Sequence, residues 1–128
     1  MLDNGLADAL ATLAAGSAIP VRLHCEILVR PTPAIETIAY FCAGELLANA
    51  AKHSHANRIT VIVASTVSEP DGVLRLQVTD DGVGGADPAH GTGLAGLAQR
   101  VHTVDGRLEI ASPPGGPTRV TVHLPLKV

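Results

Sequence analysis

The chain has 128 residues, 46% of them hydrophobic, and a formal net charge of −3 with six histidines uncounted. That length suits one domain that buries roughly 65–70% of its unfolded surface. The acidic balance and an aromatic content of 2% exclude a nucleic-acid footprint or a base-stacking platform, and no apolar run reaches the ~20 residues of a membrane span.

Leu2, Leu6, Leu10, Leu13 and Ala14 recur at helical spacing, with Gly16 as the stop and Asp3 or Asn4 as the cap. The start, Met1-Leu2-Asp3-Asn4, lacks the basic opening of a signal peptide, which predicts a cytoplasmic chain. Pro20 opens a strand in which Val21, Leu23, Cys25, Ile27 and Val29 face a core. Cys25 and Cys42 fit no CxxC and are expected to be reduced, buried thiols. Pro31-Thr32-Pro33 ends the strand, and Thr32 is placed to cap a long helix from about Pro33 to Ala56. Gly44 inside that helix costs about 1 kcal/mol relative to Ala and reads as a close-packing position.

The second half of this helix carries Glu45, Asn49, Lys52 and His53 on one stripe, continuing a stripe of Ile35, Ile38, Phe41 and Cys42. Leu46, Leu47, Ala48, Ala50 and Ala51 leave no obvious side for water, so the polar stripe is expected to be buried and to need partners. Ile59, Val61 and Val63 begin a second strand, Asp71-Gly72 marks a hairpin turn, and Val73 to Asp80 is the third strand. Period two puts Leu74, Leu76, Val78 and Asp80 on the apolar face and turns Asp81 away. A Gly-rich run from Gly82 to Gly93 leads into a helix from Leu94 to Val104. Asp105-Gly106 turns into a strand with Leu108 and Ile110. After Pro113 to Pro117 the last strand alternates Val120, Val122, Leu124 and Leu126, and Thr118 shares their inward parity. The order α-β-α-β-β-α-β-β predicts an α+β two-layer α/β sandwich in one domain, residues 1–128: a mixed sheet with its helices on one face.

Asn49, Asp80 and Thr118 thus converge with Gly-rich backbone at a helix N-terminus, which favours phosphate. A buried carboxylate accepts from an amino group such as that of adenine. An Asn carbonyl suits Mg²⁺, and a Lys one turn on suits phosphates. Each feature also has an ordinary explanation. Glu45 and Lys52 could pair on a solvated face, and Asp80 could cap a turn with Gly82. His53 and His55 lie two residues apart and point away from each other on a helix, which disfavours a metal site. Gly91-Thr92-Gly93-Leu94-Ala95-Gly96 fits G-x-G-x-x-G but follows a loop instead of a βαβ strand, and no Gly-Lys-Ser/Thr occurs.

In order, these pieces resemble the ATP-binding domain of bacterial sensor histidine kinases, in the GHKL superfamily with gyrase and MutL. Glu45-x-x-x-Asn49-x-x-Lys52-His53 is similar to the N box, Asp80-Asp81-Gly82-Val83-Gly84 to the first Gly box, Gly91-Thr92-Gly93-Leu94 to the second, and Gly116-Pro117-Thr118 to the terminal Gly-Thr box. The short stretch between Gly84 and Gly91 most resembles the subfamily of nitrate-sensor and membrane-fluidity-sensor kinases. Departures are Pro117 in place of Gly and Val104-Asp105-Gly106 in place of Leu-Gly-Gly, both in turns.

The resemblance implies a Bergerat-type fold binding ATP and Mg²⁺. Asn49 would hold Mg²⁺, and Lys52 and His53 would neutralise phosphates. Asp80 would take the adenine amino group, with Thr118 helping through a water. Gly82, Val83 and Gly84 would shape the adenine pocket, and Gly91, Thr92, Gly93 and Leu94 would cradle the phosphates. Glu45 would be the catalytic carboxylate, activating or orienting the acceptor. It implies a histidine kinase catalytic domain whose acceptor His lies on a separate dimerisation helix, with a response regulator downstream and no nucleic-acid or direct membrane contact. Such a domain is cytoplasmic, alone or as part of a membrane-bound sensor. An anti-sigma-factor type Ser/Thr kinase and a non-catalytic nucleotide-sensing module share the fold and stand as alternatives.

Overall fold

A computed structural model describes residues 5–53, 56–66, 72–82 and 93–126, the side chain of His53 excepted. The elements are α1 (Leu6–Ala15), β1 (Val21–Glu26), α2 (Pro33–His53), β2 (Ile59–Thr66), β3 (Val73–Asp80), α3 (Leu94–His102), β4 (Arg107–Ala111) and β5 (Thr118–Pro125). The strands form one sheet in the order β1-β2-β3-β5-β4. β1 and β2 are parallel and the other pairs antiparallel, so the sheet is mixed as its order of elements predicts.

The register aligns Val21, Ile59, Asp80 and Thr118 in one row across four strands, and Leu23, Val61, Val78, Val120 and Ile110 in the inward row two residues on. Ile59, Val61, Val63, Leu74, Leu76, Val122 and Leu124 form the floor of the core. Leu6 and Leu10 of α1, Ile35, Ala39, Cys42, Leu46 and Ala50 of α2, and Leu94, Leu97 and Val101 of α3 cover it. The opposite sheet face carries Arg75, Gln77, Thr79, Arg119, Thr121 and His123 and has no helix on it among the described residues.

α2 starts at the far end of the sheet, where Thr32 N–H donates to the Leu126 carbonyl at 2.9 Å. Its 21 residues span about 30 Å, the length of the sheet, so its C-terminal turns return to the end where Ile59, Asp80 and Thr118 lie. α3 is capped by Gly93 and leads into Gly106, where a Cβ would stand 2.5 Å from the His123 carbonyl, so only Gly fits. Asp105 takes the left-handed φ of 61° that Gly would otherwise supply, which is why Asp serves in that turn.

Four local expectations need correction. β1 stops at Glu26 instead of running to Val29, because the buried Ser65 hydroxyl takes the N–H groups of Leu28 and Val29 at 2.8 and 3.1 Å and bends the chain off the sheet. Cys25 is exposed, because β1 is an edge strand, whereas Cys42 is buried and its thiol is pushed up to about 11, chiefly by burial. Thr32 caps α2 only through its carbonyl, which accepts from Glu36 N–H at 2.9 Å; its hydroxyl has no partner among the described residues. Glu36 is instead held by Arg30 in a fork of 3.0 and 3.2 Å. The described part of α2 runs to His53 and Ala56 stands outside the helix, with residues 54–55 outside the described residues; Asp3 and Asn4 also lie outside them, and the observed N-cap of α1 is Gly5.

Gly44 faces α1, where an added Cβ would meet Leu13 Cδ2 at 3.9 Å, an ordinary contact. The close packing therefore leaves room for a methyl. Gly44→Ala is expected to stabilise the fold by about 1 kcal/mol through helix propensity. Urea denaturation checks this, and a loss of stability would mean that α1 is displaced.

Candidate functional site

The polar groups gather at one end of the sheet, under the last turns of α2 and beside the start of α3. Asp80 closes β3 on the inward parity and is 5% exposed. Its Oδ1 accepts from Gly82 N–H at 2.9 Å, so the turn-capping role foreseen for it is realised together with the inward orientation. Burial pushes its pKa up, against hydrogen bonds from Gly82 and Thr118 N–H that pull it down and the Asp81 charge that raises it further.

Asp81 points outward, and its Oδ1 accepts from Asn57 and Arg58 N–H at 2.8 and 3.0 Å. The Asn57 bond leads in holding its carboxyl below the usual range. Two adjacent carboxylates thus take opposite tasks, one tying the entry of β2 and the other kept inside at a cost in solvation. A depressed folded pKa gives stability that is present above the unfolded value and is lost as pH falls through the acid range. Asp81→Asn is expected to lower stability at pH 7 and to flatten its decline towards pH 3 in urea titrations. An unchanged acid limb would show that the Asn57 and Arg58 bonds do not matter.

Thr118 is the register partner of Asp80 and is 9% exposed. Its Oγ1 lies 2.6 Å from Ser112 Oγ. Ser112 drew no attention in the sequence; the available signal was a hydroxyl residue on each side of a Pro-Gly turn.

The stripe on α2 differs from expectation. Ile35 and Cys42 are buried, but Phe41, Glu45 and Lys52 are exposed and Asn49 is half-buried. Ala51 also reaches solvent, so this half of α2 does have a wet side made of Ala, Glu and Lys. Glu45 and Lys52 stand seven residues apart, about 10 Å along the axis, and do not pair with each other among the described residues. Arg100 of α3 lies over the Phe41 ring at 4.1 Å, joining α3 to α2.

Asn49 is the anomalous member. Its Nδ2 is buried and has no hydrogen-bond partner among the described residues. It faces Gly93, whose Cβ position is 3.9 Å from that nitrogen. Gly93 has φ 83° and caps α3 without a side chain. The first intrahelical bond runs from Leu97 N–H to the Gly93 carbonyl, leaving the earlier N–H groups of the first turn without helical acceptors. No acidic residue occupies that turn, and Arg100 and His102 sit in the last one, so the positive end is uncompensated by the helix itself. Leu94 is buried and anchors the helix in the core.

The structure therefore brings Asn49, Gly93 and Leu94 together, and Asp80, Gly82 and Thr118 together, at one end of the domain. Val83, Gly84, Gly91 and Thr92 and the His53 side chain lie outside the described residues. Groups of three or more His, Cys, Asp or Glu able to hold a metal are absent among the described residues. No helix among them is long and apolar enough to cross a membrane.

Residues 35–128 match the family described as "Histidine kinase-, DNA gyrase B-, and HSP90-like ATPase". The chain belongs to that family of ATPases. It is 30% identical to the nitrate/nitrite sensor protein NarQ of Escherichia coli (strain K12), over 94% of this chain and 22% of NarQ. It is 29% identical to the sensor histidine kinase ComP of Bacillus subtilis (strain 168), over 98% of this chain and 17% of ComP. Its fold is similar to the histidine kinase domain of the blue-light activated histidine kinase from Erythrobacter litoralis EL346, with a TM-score of 0.64 at 22% identity, covering 94% of this chain and 57% of that one. The chain thus spans about a fifth of the length of the curated relatives it matches.

Proposed function

We propose that this chain binds ATP with Mg²⁺ at the polar end of the sheet and passes the γ-phosphoryl group to a His on a separate dimerisation helix of a sensor kinase. The observation that carries this is Asn49, a half-buried amide whose Nδ2 has no partner among the described residues, set against the N-terminal turn of α3 and at the same end as the inward Asp80. An unpaired buried donor costs stability and calls for a ligand atom.

In this reading Asp80 accepts from the adenine amino group with the carboxylate edge left by Gly82, and Thr118 assists beside it. The α3 N-terminus and Lys52 receive the phosphates. The Asn49 Nδ2 suits a phosphate oxygen as acceptor, and its carbonyl oxygen would hold Mg²⁺. Mg²⁺ held there would supply neutralisation of the phosphate charge. Glu45, exposed on the same stripe, would orient the imidazole of an incoming acceptor. A ring nitrogen of that His forms the new bond to γ-phosphorus while the bridging oxygen leaves with ADP, so the protein's task is alignment and charge stabilisation. Gly82 and Val83-Gly84 would line the adenine and Gly91-Thr92 the phosphates. The same reading places the domain in the cytoplasm, with a response regulator receiving the phosphoryl group from the His.

Labelled ATP, this chain and a His-bearing dimerisation domain test it. An acid-labile phosphoprotein is expected. An acid-stable product would turn the reading to a Ser/Thr kinase, and binding without transfer would turn it to a nucleotide-sensing module.

A further inference from the structure

A second hydroxyl stands behind Thr118. Ser112 follows β4, and its Oγ lies 2.6 Å from Thr118 Oγ1 across the β4–β5 turn, a strong O–H···O distance. Ser112 is half-buried and Thr118 buried, so water competes weakly for either group. A hydroxyl has one donor and two acceptor positions and rotates until a partner fixes it. Thr118 pairs in register with Asp80, and its N–H bears on that carboxylate. The Ser112 bond therefore fixes the rotamer of the Thr118 hydroxyl, on the register partner of the buried carboxylate, and fills one of its hydrogen-bonding positions.

We propose that Ser112 is a positioning residue for base recognition: it orients the Thr118 hydroxyl so that Thr118 and Asp80 together read the amino donor and neighbouring ring acceptor of adenine. This rests on the ATP-site reading above. The chemistry separates two bases. Adenine sets an amino donor beside a ring-nitrogen acceptor, whereas guanine sets a carbonyl acceptor beside a ring N–H donor. An ionised carboxylate only accepts, so it takes the amino group and repels the carbonyl. The adjoining position must then offer a donor, directly or through a water; Thr118 has one hydroxyl proton, so it offers that donor when the Ser112 O–H donates to Thr118 Oγ1, one of the two directions open to the pair. Ser112 acts through Thr118 and does not touch the base.

The simpler role is to close the hairpin turn, which the Gly116 N–H to Pro113 carbonyl bond of 2.9 Å also does. Nucleotide titrations of Ser112→Ala and Ser112→Thr, in wild-type and Thr118→Val backgrounds, distinguish the two. Ser112→Ala is expected to weaken ATP binding about fivefold, the effect of one hydrogen bond, while leaving GTP binding unchanged. Ser112→Thr is expected to restore ATP binding, and Ser112→Ala to add nothing once Thr118 is Val. Equal loss for ATP and GTP, or an additive loss in the Thr118→Val background, overturns the proposal. Should Ser112→Ala fail to fold, Ser112→Cys keeps the volume with a weak hydrogen bond and carries the same expectations. ATP binding that Asp80→Asn leaves intact would sink the site reading itself. Binding that Asp80→Asn weakens but Ser112→Ala does not touch would sink this inference alone.

Discussion

Asp80→Asn is expected to lower ATP affinity at least tenfold while leaving the fold at least as stable at pH 7. The affinity term comes from the loss of a charge-assisted acceptor, about 1.5–3 kcal/mol, made worse because one orientation of the new amide sets its NH₂ against the adenine amino group. The stability term has the opposite sign from that of Asp81. Burial raises the pKa of Asp80, so its ionised form is disfavoured in the folded state, and that penalty is relieved only as pH falls through the raised value. Asn carries no charge to desolvate, and its carbonyl can still accept from Gly82. The neighbouring Asp81→Asn should show the reverse pattern, losing stability and sparing affinity. Isothermal titration and urea unfolding of both variants give four numbers. Equal affinity losses at the two positions would refute the assignment of Asp80 to the base and Asp81 to the backbone of Asn57 and Arg58.

The second large effect concerns Asn49. Asn49→Leu removes a buried donor that has no partner among the described residues and replaces it with an apolar group of similar size. The ligand-free domain should become more stable by about 1 kcal/mol, a rise of roughly 3–5 °C in Tm for a chain of this length. The same change removes the carbonyl oxygen proposed for Mg²⁺. ATP affinity should then fall at least tenfold in the presence of Mg²⁺ and change little in its absence, closing the gap between the two. A Tm that drops, together with an unchanged Mg²⁺ dependence, would show that Asn49 is a packing residue. Stability gained where function is lost is the pattern expected of a group held unsatisfied for a ligand.

The placement of Asp80 was legible in the sequence because β3 obeys a strict period of two and pairs on both sides, so nothing local can turn a residue over. The same rule put Thr118 inward six residues after Ser112. Helical period was less informative for α2. It gives the angular position of Glu45, Asn49 and Lys52, but exposure depends on how far the sheet and α3 extend beneath the helix, and those are distant in sequence. Glu45 and Lys52 therefore face water although Cys42, on the same stripe, is buried. The early end of β1 has a similar origin. Ser65 lies 37 residues from Leu28, and its hydroxyl outcompetes strand pairing there. Cys25 has inward parity yet is exposed because edge position in the sheet, unlike parity, is a property of topology. The Ser112–Thr118 pair was missed because it depends on the path of the Pro113 to Pro117 turn, which residue types alone do not specify.

Occupation of the end of the sheet between α2 and α3 by a nucleotide is tested most directly by an NMR titration of the ¹⁵N-labelled chain with ATP and Mg²⁺. Saturable shifts are expected at Asn49, Asp80, Gly82, Gly93, Leu94 and Thr118, weakened with GTP. Shifts centred on Arg75, Thr121 and His123 of the open sheet face, or no shifts at millimolar ATP, would contradict the account.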